Sequence, residues 1–172
     1  MARARGRIPA ARRSRPVAVC TLASEDLADE LGEPAGVAII GRAFTENLGA
    51  EKVAVNVVAN PAIRTLVLCG TESQHAVGQT LRALHSDGLD GDGRVVGSEG
   101  PVPILKNFPT AAQEIFSEKL TVVDLIGEAD PAVILRAISD AVASGEETWP
   151  ETWIPPAAVR SSVGRSADGP PG

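Results

Sequence analysis

Aromatic side chains are scarce in this sequence: 172 residues contain three Phe, two Trp and no Tyr, which leaves few platforms on which nucleobases could stack. Positive charge is scarce too once its placement is considered. Six of the 16 basic residues are arginines within the first 15 positions, which hold no acid, so the remainder sets ten basic against 22 acidic groups, a net charge of −12. A body that acidic repels a phosphate backbone, and nucleic acid is excluded as a partner. Apolar runs of bilayer length are missing as well. The longest, residues 53–69, is interrupted by Asn56, Asn60, Pro61 and Arg64, so no membrane span is expected. Of the two cysteines, Cys20 and Cys69, each sits inside an apolar run and reads as a small buried hydrophobe in a reducing compartment rather than as half of a disulfide. Residues 1–15 (MARARGRIPAARRSR) lack the apolar stretch of a secretory signal and are too short and Ser-poor for a transit peptide. They are expected to form a disordered leader on a cytoplasmic protein.

What the chain does have is 44% hydrophobic residues, enough for one sizeable core. Residues 17–23 (VAVCTLA), 64–69 (RTLVLC) and 120–126 (LTVVDLI) are continuous apolar, β-branched runs, the pattern of strands covered on both faces. Residues 24–31 read as a solvated turn or short helix, and residues 34–42 as a small apolar helix packed on the sheet. Residues 46–60 fit both periods and are read as a helix ending at Asn60-Pro61. A helix is predicted at 77–86, stopped by Gly88, then a turn at 87–93 and a short strand at 94–97 (RVVG). A Pro-bracketed loop at 101–109 and helices at 110–119 and 131–143 follow, the last opened by Pro131. Strands alternating with helices predict an α/β, Rossmann-like three-layer fold with a mainly parallel sheet. The domain is expected over residues 16–145, between the leader and a Pro/Gly-rich tail, 146–172, whose end is too polar to order itself.

In such a sheet, ligands bind beyond the carboxyl ends of the strands, which directs attention to Gly70-Thr71-Glu72-Ser73-Gln74-His75 and to Gly78 just inside the following helix. His75 at a helix N-terminus faces the positive dipole end, which favours the neutral ring that ligates metals; a plain surface loop is the alternative. His85, in the last turn of the same helix, reads as structural. The acidic run 87–93 lacks the Glu that completes a calcium loop and reads as a turn. Gly97-Ser98-Glu99-Gly100 offers close backbone approach to a flat ligand, or simply a tight connection. No zinc-ligand spacing, Gly-x-Ser-x-Gly elbow or Walker loop is present.

The blocks PVAVCTLAS (16–24), TENLGAEKV (45–53), NPAIRTLVLCGTE (60–72), HAVGQTLRALH (75–85), VVGSEGPVPILKNFP (95–109) and TVVDLIGEADP (121–131) closely resemble the A subunit of the tetrahydromethanopterin S-methyltransferase family. The resemblance covers residues 16–143 and implies a domain that carries a cobamide, cobalamin or a related corrinoid, with His75 as the ligand to cobalt. Gly70, Thr71, Glu72, Gln74, Gly78, Gly97, Ser98 and Gly100 would line the cofactor, and Glu72 would set the imidazole tautomer. The implied function is that of a methyl carrier in one-carbon metabolism, passing a methyl group from a methyl-tetrahydropterin or methyl-tetrahydrofolate to a thiol. Its partners would be the methyl-donor and methyl-acceptor subunits. Whether the chain is an enzyme alone is left open, since no nucleophile-base pair is present; the alternative is a non-catalytic corrinoid-binding homologue for storage, sensing or partner contact. Three features depart from the family: Gln74 replaces the Gly usual before the ligand histidine, in a loop one residue shorter; the chain ends in a Pro/Gly-rich tail rather than a transmembrane helix; and the composition is rich in Arg and Ala.

Overall fold

A computed structural model describes residues 15–144; the tail and all of the leader except Arg15 lie outside the described residues. Nine elements follow one another: β1 (Val17–Cys20), α1 (Leu27–Leu31), β2 (Val37–Gly41), α2 (Glu46–Val58), β3 (Thr65–Gly70), α3 (Val77–Asp87), α4 (Thr110–Glu118), β4 (Thr121–Ile126) and α5 (Pro131–Ala143). The strands form one sheet in the order β2-β1-β3-β4, every pair parallel. Alternation along the strands builds two cores. Ala18, Cys20, Leu66 and Leu68 face α2, α3 and α4, while Val17, Val19, Val67 and Cys69 face α1 and α5. The result is the three-layer α/β, Rossmann-like arrangement that the residue pattern predicts.

Local chemistry sets the helix boundaries. Asp130 accepts from Ala132 N at 2.9 Å and Pro131 opens α5, a capped start with its fixed φ in place. Gly88, at φ 73°, stops α3. His85 is structural as expected: Nε2 donates to the Leu120 carbonyl at 2.7 Å and the ring stands edge-on to the fully buried Phe116. In the acidic turn, Asp90 Oδ1 accepts from Asp92 N and Arg94 N, both at 2.9 Å, which draws its pKa down.

Two predicted elements are corrected. Residues 34–42, read as a helix, contain β2. A short apolar run has no period that separates a buried helix turn from a strand, and here a bulge adds to the ambiguity. The register slips between Val17↔Val37 and Ala18↔Ile39, so Ala38 and Ile39 both serve the same core and the strict alternation is lost. Gly36 is the local signal for the strand's start: φ is 84° and a β-carbon there would collide with Val142 of α5. Residues 94–97 are not a sheet strand. Arg94 and Val95 make isolated antiparallel bridges to Ile104 and Leu89, because the connection from α3 to α4 doubles back on itself and Pro101 and Pro103 interrupt any longer ladder.

Candidate functional site

The helix after β1 lies on one face of the sheet and the helix after β3 on the other, so the crevice between the carboxyl ends of β1 and β3 is the topological switch point. Three turns are stitched together there. Thr71 N donates to Ser24 Oγ at 2.9 Å, Ala23 N donates to Thr71 O at 3.0 Å, and Gly70 N donates to Glu128 O at 2.7 Å. Gly70 is required in this junction. It adopts φ 79°, and a β-carbon would come within 2.5 Å of Ser24 Oγ and 2.7 Å of Thr21 O.

From this junction the chain rises through Glu72 to Ala76 and enters α3. Ala76 holds the left-handed conformation, φ 52°, uncommon for a residue with a side chain, and the surroundings explain how it is held. Glu72 folds back under the helix: Oε1 accepts from Ser73 N at 2.7 Å and Gly78 N at 3.0 Å, and Oε2 accepts from Gln79 N at 2.9 Å. Ser73 Oγ takes Val77 N at 3.0 Å. The first amides of α3 are thereby satisfied from inside the loop, with a carboxylate on the positive end of the dipole. The Glu-Ser pair just ahead of the apolar period is a capping signal legible in the sequence but unused in the reading above, and Ser73 is an addition to the predicted set. Gly78 makes room for the clamp, since a β-carbon there would lie 2.8 Å from Glu72 Oε2 and 2.8 Å from Leu22 Cδ1.

The second predicted loop is brought onto the first. Gln79 Nε2 donates to Gly97 O at 2.9 Å, and Glu99 N donates to Gln79 Oε1 at 2.7 Å. Thr80 and Ser98 share a hydroxyl contact of 2.6 Å, and Gly100 N donates to Ser98 Oγ. Gln79 and Thr80, which no sequence motif singled out, are the rivets. A β-carbon on Gly100 would stand 3.1 Å from the His75 carbonyl oxygen, so the strap lies flat on the histidine's backbone. His75 is half-buried beside Val77, Thr80, Gly100, Pro101 and Val102, around a cleft of about 10 Å³, room for one water. Thr71 and Gln74 are exposed at the loop's rim, as are the neighbouring Val96 and Val102. The nine predicted site residues therefore cluster around the start of α3, with Gly70 and Gly78 buried beneath it and the others half-buried or exposed.

The buried thiols offer no competing chemistry. Burial pushes Cys20 up to about 11, with the nearby Glu72 charge adding to it, and Cys69 up to about 12, so both stay protonated near neutrality. Among the described residues no group of three or more His, Cys, Asp and Glu is placed to hold a metal ion, and no helix is long and apolar enough to cross a membrane.

Comparison with known proteins gives this surface its context. The family model of the tetrahydromethanopterin S-methyltransferase A subunit, MtrA, matches residues 4–152. The second A subunit of that methyltransferase in Methanothermobacter marburgensis is 47% identical over 129 residues, covering 74% of this chain and 69% of that protein. Its counterpart in Methanobrevibacter ruminantium, also the second of two, is 40% identical over 129 residues, covering 74% and 66%. The first A subunit of M. marburgensis is 41% identical over 129 residues, covering 74% and 53%. With most of its length matched by the family model and identities of this size, the chain belongs to the MtrA family, the A subunits of tetrahydromethanopterin S-methyltransferase.

Proposed function

We propose that this methyltransferase subunit is a corrinoid-binding methyl carrier that holds a cobamide against the surface around His75. The observation that carries the reading is the convergence of residues 70–78 and 97–100 on a half-buried histidine at the switch point of the sheet. The donor set fits such a group. A corrinoid carries its own cobalt and would ask the protein for a single donor rather than a cluster; His75 is one imidazole, and no group of three or more His, Cys, Asp and Glu is placed to hold a metal ion among the described residues. The flanking surface fits as well: exposed Val96 and Val102 match the apolar edge of a flat macrocycle.

When bound, the cobamide supplies a cobalt centre that accepts a methyl group from a methylated pterin or folate and yields it to a thiol. This chain's residues do the positioning. His75 would hold the cobalt through a ring nitrogen. Glu72 and Ser73, by tying the loop to α3, fix the backbone that carries the imidazole, and Gln79 and Thr80 hold the opposite wall at a set distance. Methyl-donor and methyl-acceptor subunits would approach the open face, in the cytoplasm.

Addition of cobalamin to the purified protein, followed by gel filtration and visible spectroscopy, tests the reading. Co-elution with a spectrum that changes in His75→Ala, while His85→Ala leaves it unchanged, is the expected result. Cobalamin that does not co-elute would overturn the proposal. Binding with an identical spectrum in His75→Ala would remove the ligand role of His75 and leave a corrinoid-binding protein without it.

A further inference from the structure

A second opening borders α2 and shares no residue with the cleft at His75. Because β2 is the edge strand and α2 packs toward α3 and α4, the α2-side face of the sheet is left open next to β2. The result is a groove of about 320 Å³. Its apolar floor runs from Ile39 on β2 past Ala18 on β1 to Leu66 on β3, two strands and about 10 Å in from the edge. The residues present explain why it stays open: Gly49 and Ala18, which border it from α2 and β1, carry almost no side-chain volume. The rim is different in character. Arg42 and Lys52 are both there and both exposed. The Arg42 guanidinium lies 4.4 Å from the centre of the Phe44 ring, held by a 3.0 Å bond from Nη2 to the Ala23 carbonyl. Phe44 is 45% exposed, an unusual position for an aromatic in a chain with so few.

We propose that this groove is a second ligand site, one that takes a planar aromatic carboxylate with its ring on the apolar floor and its carboxylate on Arg42 and Lys52. Three observations define that ligand. The volume lies at the lower end of the range for small-molecule sites, about 300–1,000 Å³, which suits one or two fused rings and is too small for a corrin macrocycle. The groove is therefore separate from the corrinoid surface around His75, and neither site depends on the other. The shape is a slot between a sheet and a helix, with Val53 and Val57 of α2 facing Ala18 and Leu66 of the strands, and such walls favour a flat apolar body. Charge then fixes the sign. Residues 16–172 set ten basic against 22 acidic groups, so most of the surface repels an anion, yet two of those ten cations stand on this one rim. Arg42 is preorganised by its ring stack and its bond to Ala23, so it loses little freedom on taking a carboxylate. Thr45 and Asn56 border the same groove and add uncharged hydrogen-bonding groups that orient the ligand.

Proton-nitrogen correlation spectra of the full chain, titrated with 2-naphthoate and separately with its neutral counterpart 2-naphthamide, test this. Saturable shifts at millimolar naphthoate are expected for the backbone amides of residues 39–45 and 49–57, and naphthamide should bind at least about tenfold more weakly. Arg42→Gln with Lys52→Gln should weaken naphthoate binding about tenfold while the dispersion of the spectrum stays native. Lys52→Gln alone, at an exposed position, gives the same reading with a smaller loss should the pair fail to fold. His75→Ala should leave naphthoate binding unchanged, so the result is read apart from the cobalamin experiment. Absence of saturable shifts, equal affinity for naphthamide, or unchanged affinity in the folded charge variants would overturn the proposal. So would shifts centred on residues 75–80 and 97–102, which would place the ligand at His75. Groove shifts that track protein concentration without ligand would overturn it too, by placing a second copy of the chain there.

Discussion

The three backbone bonds to Glu72 make this residue the most informative one to perturb. Truncation in Glu72→Ala removes one carboxylate that accepts at 2.7, 3.0 and 2.9 Å and leaves Gly78 N and Gln79 N without a protein acceptor. A hydrogen bond to a charged group contributes about 1.5–3 kcal/mol, and loss of a helix cap costs about 0.5–2 kcal/mol. The three bonds are not additive, because the site is half-buried and water can reach the freed amides, so the expected loss is about 2–3 kcal/mol. At about 2–4 °C per kcal/mol for a domain of this size, Tm should fall by roughly 5–10 °C. Gly78→Ala attacks the same clamp from the other side, since its β-carbon would sit 2.8 Å from Glu72 Oε2. The two substitutions should therefore be non-additive, the second costing less by about 1 kcal/mol once the carboxylate is gone. Thermal melts of the four proteins followed by circular dichroism measure both quantities, and Ala76 makes a third readout: with its clamp removed, the left-handed turn should relax and hydrogen exchange at Val77 and Gly78 should quicken. A Glu72→Ala protein that melts within about 1 °C of the parent, or a strictly additive cycle, would refute the assignment of Glu72 to the helix.

Gly70→Ala should cost about 2–4 kcal/mol, since it combines a left-handed φ with approaches to Ser24 Oγ and the Thr21 carbonyl that cannot both be relieved; urea titration measures it, and a loss below about 1 kcal/mol would show the junction to be pliable. Phe116→Ala should lose about 3–5 kcal/mol from a fully buried position, whereas His85→Ala, which loses one 2.7 Å bond and an edge contact, should lose about 1 kcal/mol; equal costs would contradict this partition of the α3-α4 contact. Stability should also decline in base. Folding raises Cys20 and Cys69 from the ordinary value of 9.0 to about 11 and about 12, so below pH 9 both states keep their protons and between pH 9 and 12 only the unfolded chain releases them. Urea midpoints at pH 8 and pH 10.5 should diverge more for the parent than for a Cys20→Ala, Cys69→Ala double variant, and equal divergence would assign the base sensitivity to other groups.

The sequence by itself determined the fold class, because β1 and β3 are buried on both faces, and they and the half-exposed edge strand β4 leave apolar, β-branched runs that need no tertiary information to recognise. It also determined α3 and α5, whose boundaries are written in Gly88 and in Asp130-Pro131, and the family, whose blocks are preserved in order from residue 16 onward. It placed the candidate site on the loop after β3 by the general geometry of parallel sheets. What it left undecided depended on contacts between distant residues. β2 is an edge strand with a bulge, so its residues lack alternation and are defined by β1 beside them and by Val142 of α5 across from them. The strap at 97–100 becomes a wall of the His75 surface only because Gln79 and Thr80 reach it from α3. That Glu72 accepts from the first amides of a helix that begins five residues later was likewise not written in any local period. Burial and chain reversal, which no local period encodes, decided each of these.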